Sequence, residues 1–158
     1  MAIEQTSGRQ RLNVHGAIDR ETGKTAMIDV ETVDAASTIR LLETIEALYP
    51  LLAAIHLFPD NARYRHARIV REWPAQPGRR IRLRFIPADR PHLNPIERLW
   101  GVMHKHLTHH TCYAACRDFA EAVLDFLREH VSRRWPEFRD SVTDNFRVID
   151  PKDLRVLA

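Results

Sequence analysis

Apolar residues recur along the chain at two spacings, and the switches between them mark the elements. Residues 12–18 (LNVHGAI) alternate loosely between apolar and polar, residues 19–24 (DRETGK) hold a turn with Gly23, and residues 25–30 (TAMIDV) resume an apolar run. The pattern predicts a β-hairpin over 12–30. Asp34 then caps a helix running to about residue 48, in which Ile39, Leu42, Ile45 and Leu48 keep a three-to-four spacing, and Pro50 stops it. Residues 54–58 (AIHLF) are short and mainly apolar, a buried strand with Asp60 just past its carboxyl end. Residues 62–73 read as a helix ended by Pro74. In residues 80–86 Ile81, Leu83 and Phe85 fall on one face and Arg80, Arg82 and Arg84 on the other. That alternation predicts a half-exposed strand whose charged face suits a sheet edge. Over 94–108 the start signals are strong: Asn94 as N-cap, Pro95 at the first helical position and Glu97 at the third. Ile96, Leu99, Trp100, Met103 and Leu107 form its buried stripe. A further amphipathic helix over 117–130 buries Phe119, Val123, Phe126 and Leu127, and residues 131–158 read as a short helix and tail. The order β-β-α-β-α-β-α-α is an α/β pattern.

Composition adds bounds to this picture. A chain of 158 residues is the size of one domain with a real core, with 111–158 as its C-terminal helical extension. The longest apolar run, residues 47–55, is interrupted by Pro50 and is far shorter than the ~20 residues of a membrane span. The N-terminal residues lack an apolar signal core, and Cys112 and Cys116 make no disulfide framework, so the expected setting is a reducing cytoplasm. The net charge of +3 is unevenly spread. Residues 63–90 carry nine Arg against Glu72 and Asp89, a local +7 that leaves −4 for the rest. A basic block made of Arg, the better phosphate fork, points to a polyanion-facing surface.

Two carboxylates are placed to do chemistry beside that block. Asp60 follows a strand, where open α/β sheets put their ligand sites, and Glu97 opens a helix. The 36 intervening residues hold one helix and one strand, so both can converge at one end of a sheet. Convergent carboxylates on a basic surface suit Mg²⁺, which prefers oxygen ligands, and paired ions of this kind serve phosphodiester chemistry. The plainer reading is that Asp60-Asn61 is a turn and Glu97 part of a helix cap.

The wording around the two residues, PDNARYRHARIVREW at 59–73 and RFIPADRPHLNPIERLWGVMHKHLTH at 84–109, resembles the second and third catalytic segments of DDE transposases. The nearest resemblance is to the bacterial insertion-sequence branch of the Tc/mariner group. Leu93, Asn94, Pro95, Ile96, Glu97, Arg98 and Trp100 match that group's L-N-P-I-E-R-x-W segment. VHGAIDRETGK at 14–24 is similar to its second strand and turn, and CRDFAEAVLDFLRE at 116–129 to a later helix, so the resemblance covers roughly residues 9–130. It implies a ribonuclease H-like mixed sheet flanked by helices. It makes Asp60 and Glu97 the second and third catalytic, metal-binding carboxylates, holding two Mg²⁺ or Mn²⁺ ions. It implies hydrolysis of a phosphodiester at an element end, followed by attack of the freed 3′-hydroxyl on target DNA. Arg63, Arg65, Arg68, Arg80, Arg82, Arg84, Arg90 and Arg98 become DNA contacts. Asn61, His66 and Asn94 become supporting or DNA-contacting residues.

The chain departs from the family where it starts. The family's first catalytic Asp lies on a strand ahead of the segment matching residues 12–18; Asp19 falls in the hairpin turn and Asp29 on the third strand, and neither matches. The amino-terminal helix-turn-helix region has no counterpart either. The expectation is therefore a sheet lacking its first strand, in which the strands of Asn13 and Ile55 lose a shared neighbour and leave costly unpaired backbone. An upstream transposase chain, a second copy, the tail at 147–156 or the start at 1–5 would supply it. Pro59 and the loop PADRP at 87–91 are smaller departures. Two readings stand: part of a transposase acting on DNA, nucleoid-associated in the cytoplasm, or a catalytically inactive remnant that binds DNA or a partner transposase chain. A zinc module built on His104, His106, His109, His110, Cys112 and Cys116 is a third class, although the spacing fits no common finger. Trp73, Trp100 and Trp135 could stack on bases, with core packing the better reading for Trp100.

Overall fold

The computed structural model describes residues 12–60, 62–86, 94–108, 113 and 115–143, apart from the side chains of residues 64 and 65. The predicted hairpin forms as β1 (Val14–Ile18) and β2 (Thr25–Asp29), antiparallel in the register Gly16 opposite Met27. Its turn is held by the Asp19 carboxylate, which accepts from the backbone N–H of Glu21 (2.8 Å) and the hydroxyl of Thr22 (2.8 Å). Gly23 adopts φ 70°, the left-handed region open to glycine.

Helix α1 (Ala35–Leu48) begins on a capping box in which Asp34 and Ser37 bond reciprocally. Its buried face is Ser37, Thr38, Leu41, Leu42, Ile45 and Glu46, so the stripe expected on Ile39 and Leu48 is rotated and those two are half-buried. The cause is polar: Ser37 lies against buried His15 of β1 at 3.3 Å, and Glu46 turns inward toward the next sheet.

Strand β3 (Ile55–Leu57) pairs in parallel with β4 (Ile81–Leu83), Ile55 opposite Ile81. Pairing continues past both ends, with Ile55 N–H to Arg80 O at 2.9 Å and Ile86 N–H to Pro59 O at 3.0 Å. The expectation of a buried β3 is corrected: Ile55 and Leu57 are half-buried while Ala54, His56 and Phe58 are exposed, because only one face and one edge of β3 are covered by described residues. The single helix expected over 62–73 is broken. A 3₁₀ turn (Arg63–His66) precedes α2 (Arg68–Glu72), and Ala67 between them is extended at ψ 141°. A second 3₁₀ turn (Trp73–Ala75) carries Pro74.

Helices α3 (Pro95–Leu107) and α4 (Cys116–Asp125) follow. The chain then passes through a π-helical turn (Phe126–His130) and α5 (Val131–Arg133) into α6 (Trp135–Thr143). α6 lies in the segment expected to hold a short helix, and it buries Trp135, Phe138 and Val142. No helix among the described residues is long and apolar enough to cross a membrane.

The result is a mixed α/β structure with two apolar layers. Helix α1 packs Leu41, Leu42 and Ile45 against Ala17, Ala26 and Ile28 of the hairpin and against Ile55, Leu57, Ile81 and Leu83 of the other pair. The hairpin's opposite face, with Val14, Ile18 and Met27, is covered by Leu99, Met103, Val123, Phe126, Leu127 and the α6 residues. The described strands form two separate two-stranded sheets, β1–β2 and β3–β4, and no described strand lies between β1 and β3.

Glu46 fastens α1 to the second sheet. Its carboxylate accepts from the backbone N–H of Arg80 (2.5 Å) and Ile81 (3.2 Å) and from the Arg79 guanidinium (3.4 Å). Burial alone would raise its pKa, but the two N–H donors and Arg79 outweigh that and hold it below the ordinary glutamate value. A depressed folded-state pKa contributes stability that is present above the unfolded value of about 4.3 and is lost as pH falls through the folded one. Glu46→Gln is expected to cost about 1–3 kcal/mol at neutral pH. The variant should lose less stability than the parent between pH 5 and pH 2, an outcome that urea denaturation across about that range reads directly.

The hairpin turn provides a second test. A Cβ built on Gly23 would meet the Trp135 ring at 2.4 Å, whereas one on Gly78, also at positive φ (82°), would meet nothing within 4 Å. Trp135 also donates from Nε1 to Glu21 O at 3.0 Å. Gly78→Ala should therefore show backbone strain alone, about 1 kcal/mol, and Gly23→Ala clearly more, measured as shifts of the denaturation midpoint.

Candidate functional site

Asp60 stands where the β3 ladder ends. Pro59 before it is buried and its carbonyl still pairs with β4. The Asp60 Oδ1 accepts from the backbone N–H of Ala62 at 2.8 Å, an Asx-type turn that leads into the 3₁₀ turn of Arg63. The turn reading and the site reading thus coexist at this residue. Glu97 lies in the first turn of α3 and is exposed. Its position is set by Asn94, whose buried side chain accepts from Ile96 N–H at 3.2 Å, and by Pro95 at the first helical position.

Neither Asp60 nor Glu97 lines the cavity of about 640 Å³, but residues next to each of them do. Pro59, the residue before Asp60, lines it, and so do Asn94, Pro95 and Ile96, the three residues before Glu97. Strand end and helix start therefore open on the same space. Asp19 also borders the cavity but at the far end, where it accepts from the Tyr49 hydroxyl at 2.9 Å. Burial and that hydrogen bond to Asp19 push the Tyr49 hydroxyl up to about 12. Burial would raise Asp19 too, but bonds from Glu21, Thr22 and Tyr49 prevail and lower it. Asp19 is thus committed to the turn, and Asp29 is exposed at the end of β2.

The arginines divide. Arg63, Arg68, Arg82 and Arg84 are exposed, Arg68 in an ion pair with Glu72 at 2.9 Å. Arg98 is half-buried on α3. Arg80 is corrected: its guanidinium turns inward and donates to the carbonyls of Glu46 (2.7 Å), Leu52 (2.9 Å) and Tyr49, so it caps α1 rather than facing solvent. The strand alternation predicted an outward Arg80, but the open carbonyls at a helix end attract a cation more strongly than water does. Asn61, Arg90 and the side chain of Arg65 lie outside the described residues. His66 stacks on Phe85 with ring centroids 4.6 Å apart, which ties the 3₁₀ turn to the end of β4.

Of the other constellations, Trp73 and Trp135 are absorbed by packing, while His104, His106 and Cys116 are exposed. Trp73 and Trp135 are buried, and Arg79 sits over the Trp73 ring at 4.0 Å. His106 lies between the rings of Phe126 (5.5 Å) and Phe138 (5.1 Å) and contacts Val102 O at 2.9 Å. His109, His110 and Cys112 fall outside the described residues. Sequence reasoning missed Glu46 and His15, whose only signal was a polar residue on the inner side of an amphipathic pattern.

A family model described as DDE superfamily endonuclease matches residues 1–119 of this chain. The chain belongs to the DDE superfamily endonucleases. It is also similar to the Shigella sonnei protein named "Insertion element IS630 uncharacterized 39 kDa protein", with 29% identity over 118 residues, 70% of this chain and 34% of the relative. The chain thus spans about a third of that relative's length. No solved structure matches. The resemblance to insertion-sequence transposases read from the two catalytic segments is borne out by both comparisons.

Enzymes of this family generally use divalent metal. Carboxylate oxygens are the right donors for Mg²⁺ or Mn²⁺. Among the described residues, however, no group of three His, Cys, Asp or Glu is gathered. Asp60 and Glu97 alone do not complete a metal site, and no step through a metal follows from them. The arginine division is testable without any ligand. Arg80→Ala should lower stability by about 1–3 kcal/mol, because three carbonyls lose their donor. Arg82→Ala and Arg84→Ala should each stay within about 0.5 kcal/mol, as thermal denaturation would read.

Proposed function

We propose that this chain is a downstream part of the catalytic domain of an insertion-sequence transposase, ribonuclease H-like in fold, with DNA as its substrate. Residues 1–158 act as one unit in this reading, with 111–158 as a helical extension. Asp60 and Glu97 contribute two of the carboxylates that hold Mg²⁺ or Mn²⁺. With the further carboxylate in place, ions held there would supply Lewis-acid chemistry for displacement at a phosphodiester. Arg63, Arg82 and Arg84 grip the phosphate backbone, joined by Arg65, Arg68, Arg90 and Arg98. Asn61, His66 and Asn94 position the loops that carry the carboxylates. The protein works in the cytoplasm on nucleoid DNA, together with a second copy or an upstream transposase chain.

The observation that carries the reading is the shared cavity, flanked by the β3 end before Asp60 and the α3 start before Glu97, beside outward-facing arginines. A second reading, an inactive product that binds DNA or a partner chain, is favoured by the count of two carboxylates where a complete site needs more.

The first reading, and the DNA-binding form of the second, require DNA binding that weakens with salt. Affinity for duplex DNA should fall linearly on a log–log plot, and the double variant Arg82→Ala/Arg84→Ala should lower the slope by about 2. Salt-independent binding, or none at low salt, would defeat the first and leave the second only in its partner-chain form. Cleavage separates them. With Mg²⁺ and a nicked-end duplex this chain alone should leave DNA intact. Combined with a polypeptide that supplies a further carboxylate, it cuts in the first reading and not in the second. Cutting must then vanish in Asp60→Asn and in Glu97→Gln.

A further inference from the structure

The two faces of the β3–β4 pair carry different chemistry. Ile55, Leu57, Ile81 and Leu83 pack toward α1. Side chains alternate along a strand, so His56, Phe58, Arg82 and Arg84 stand on the opposite face. All four are exposed, and Phe58 leaves 55% of its surface open although its neighbours Leu57 and Pro59 are bonded into the ladder.

The parallel register arranges these four side chains as a grid. His56 lies opposite Arg82. Arg84 N–H bonds Leu57 O at 2.8 Å and Ile86 N–H bonds Pro59 O at 3.0 Å, which puts Phe58 opposite Arg84. Each ring therefore has a guanidinium on the neighbouring strand. The two rows are two residues apart, roughly 6.6 Å along the strands. The charges on this face are uncommitted. Among the described residues no carboxylate pairs with Arg82 or Arg84, and Arg82 meets only the carbonyls of Arg79 and Ile81, each at 3.3 Å. Nor does any ring among the described residues stack on His56 or Phe58.

We infer that this face is a stacking platform for single-stranded DNA, with one base on Phe58, the next on His56, and phosphates on Arg84 and Arg82. The inference deepens the DNA reading above and rests on it for the kind of nucleic acid; what it adds is that the strand two residues from Asp60 is unpaired. Spacing decides between a single strand and a duplex. Bases along one strand of a stacked helix follow at about 3.4 Å, half the distance between the two rows. One base per ring therefore requires an extended, unstacked strand. A duplex also hides the faces of its bases and opens only edges and phosphates, so it would use the arginines and leave Phe58 in water. An unpaired base has a face to offer, and aromatic rings beside cations bind such bases without regard to sequence. An apolar protein partner is disfavoured because it would bury two guanidinium groups without a counter-charge. An acidic peptide would meet the charges and give the rings nothing flat to lie on.

The test measures affinity of the full chain for three labelled probes: oligothymidylate, an abasic oligomer of the same length and charge, and a duplex. Oligothymidylate should bind about tenfold or more tightly than the abasic oligomer. Phe58→Ala should remove about fivefold or more of the oligothymidylate affinity and leave the abasic oligomer and the duplex unchanged. Phe58→Trp should keep the affinity, and its added fluorescence over the parent chain should be quenched by oligothymidylate and not by the abasic oligomer. Arg82→Ala/Arg84→Ala should instead lower the salt slope for both single strands, by about 1.4. Equal affinity for the abasic and base-bearing strands, a Phe58→Ala variant that binds oligothymidylate like the parent, or competition by polyglutamate that matches oligothymidylate overturns the platform. Salt-dependent duplex binding that persists beside any of these results leaves the DNA reading standing without it. Absence of binding to all three probes at low salt overturns the platform and the DNA reading together.

Discussion

Helix α1 spans a break in hydrogen bonding, and the Glu46–Arg80 exchange at its last turn fixes what lies beyond the break. The Glu46 carboxylate takes the backbone N–H groups that start β4, while the Arg80 guanidinium returns to the carbonyls that end α1. Helix end and strand start are thus each other's caps. A buried carboxylate is costly unless hydrogen-bonded, and here two backbone N–H groups and the Arg79 guanidinium engage it. Because β3 takes its register from β4, the same exchange sets the level at which β3 ends and Asp60 begins. The position of Asp60 therefore depends on a residue some distance from it in sequence that carries no chemistry.

Much of the fold was legible because its signals were local. The hairpin follows from alternation around Gly23, α1 from Asp34, and α3 from the sequence Asn94-Pro95. What was not legible came from contacts between elements. Nothing in residues 62–73 announces the extended Ala67 that splits the helix; the His66–Phe85 stack that accompanies it joins segments far apart in sequence. Trp135 falls in the segment read as a short helix and tail, and nothing local to it tells that it covers the Gly23 turn far away in sequence.

The candidate site divides along the same line. Asp60 and Glu97 are singled out by their strand-end and helix-start positions together with the resemblance of the wording around them to DDE catalytic segments. Arg80 was assigned to the solvent face by a period of two, which is right for Arg82 and Arg84 and fails where a neighbouring helix end offers carbonyls. The local +7 of residues 63–90 is correspondingly smaller as a surface feature. Arg79 is engaged with Glu43 and Glu46, Arg80 with α1, and Arg68 with Glu72.

What remains exposed is arranged by the sheet. Ile55, Leu57, Ile81 and Leu83 turn toward α1, so His56, Phe58, Arg82 and Arg84 occupy the other face of β3–β4. The same side of the hairpin is covered by the layer containing α3, α4 and α6. One side of the divided sheet is therefore apolar and covered over β1–β2, and bare and basic over β3–β4. Asn94, Pro95 and Ile96 bring the start of α3 to the cavity between them, and Pro59 brings the end of β3. Asp60 follows Pro59 and Glu97 follows Ile96, so each carboxylate comes directly after a residue that lines that cavity, one half-buried past the end of β3 and the other exposed on the first turn of α3.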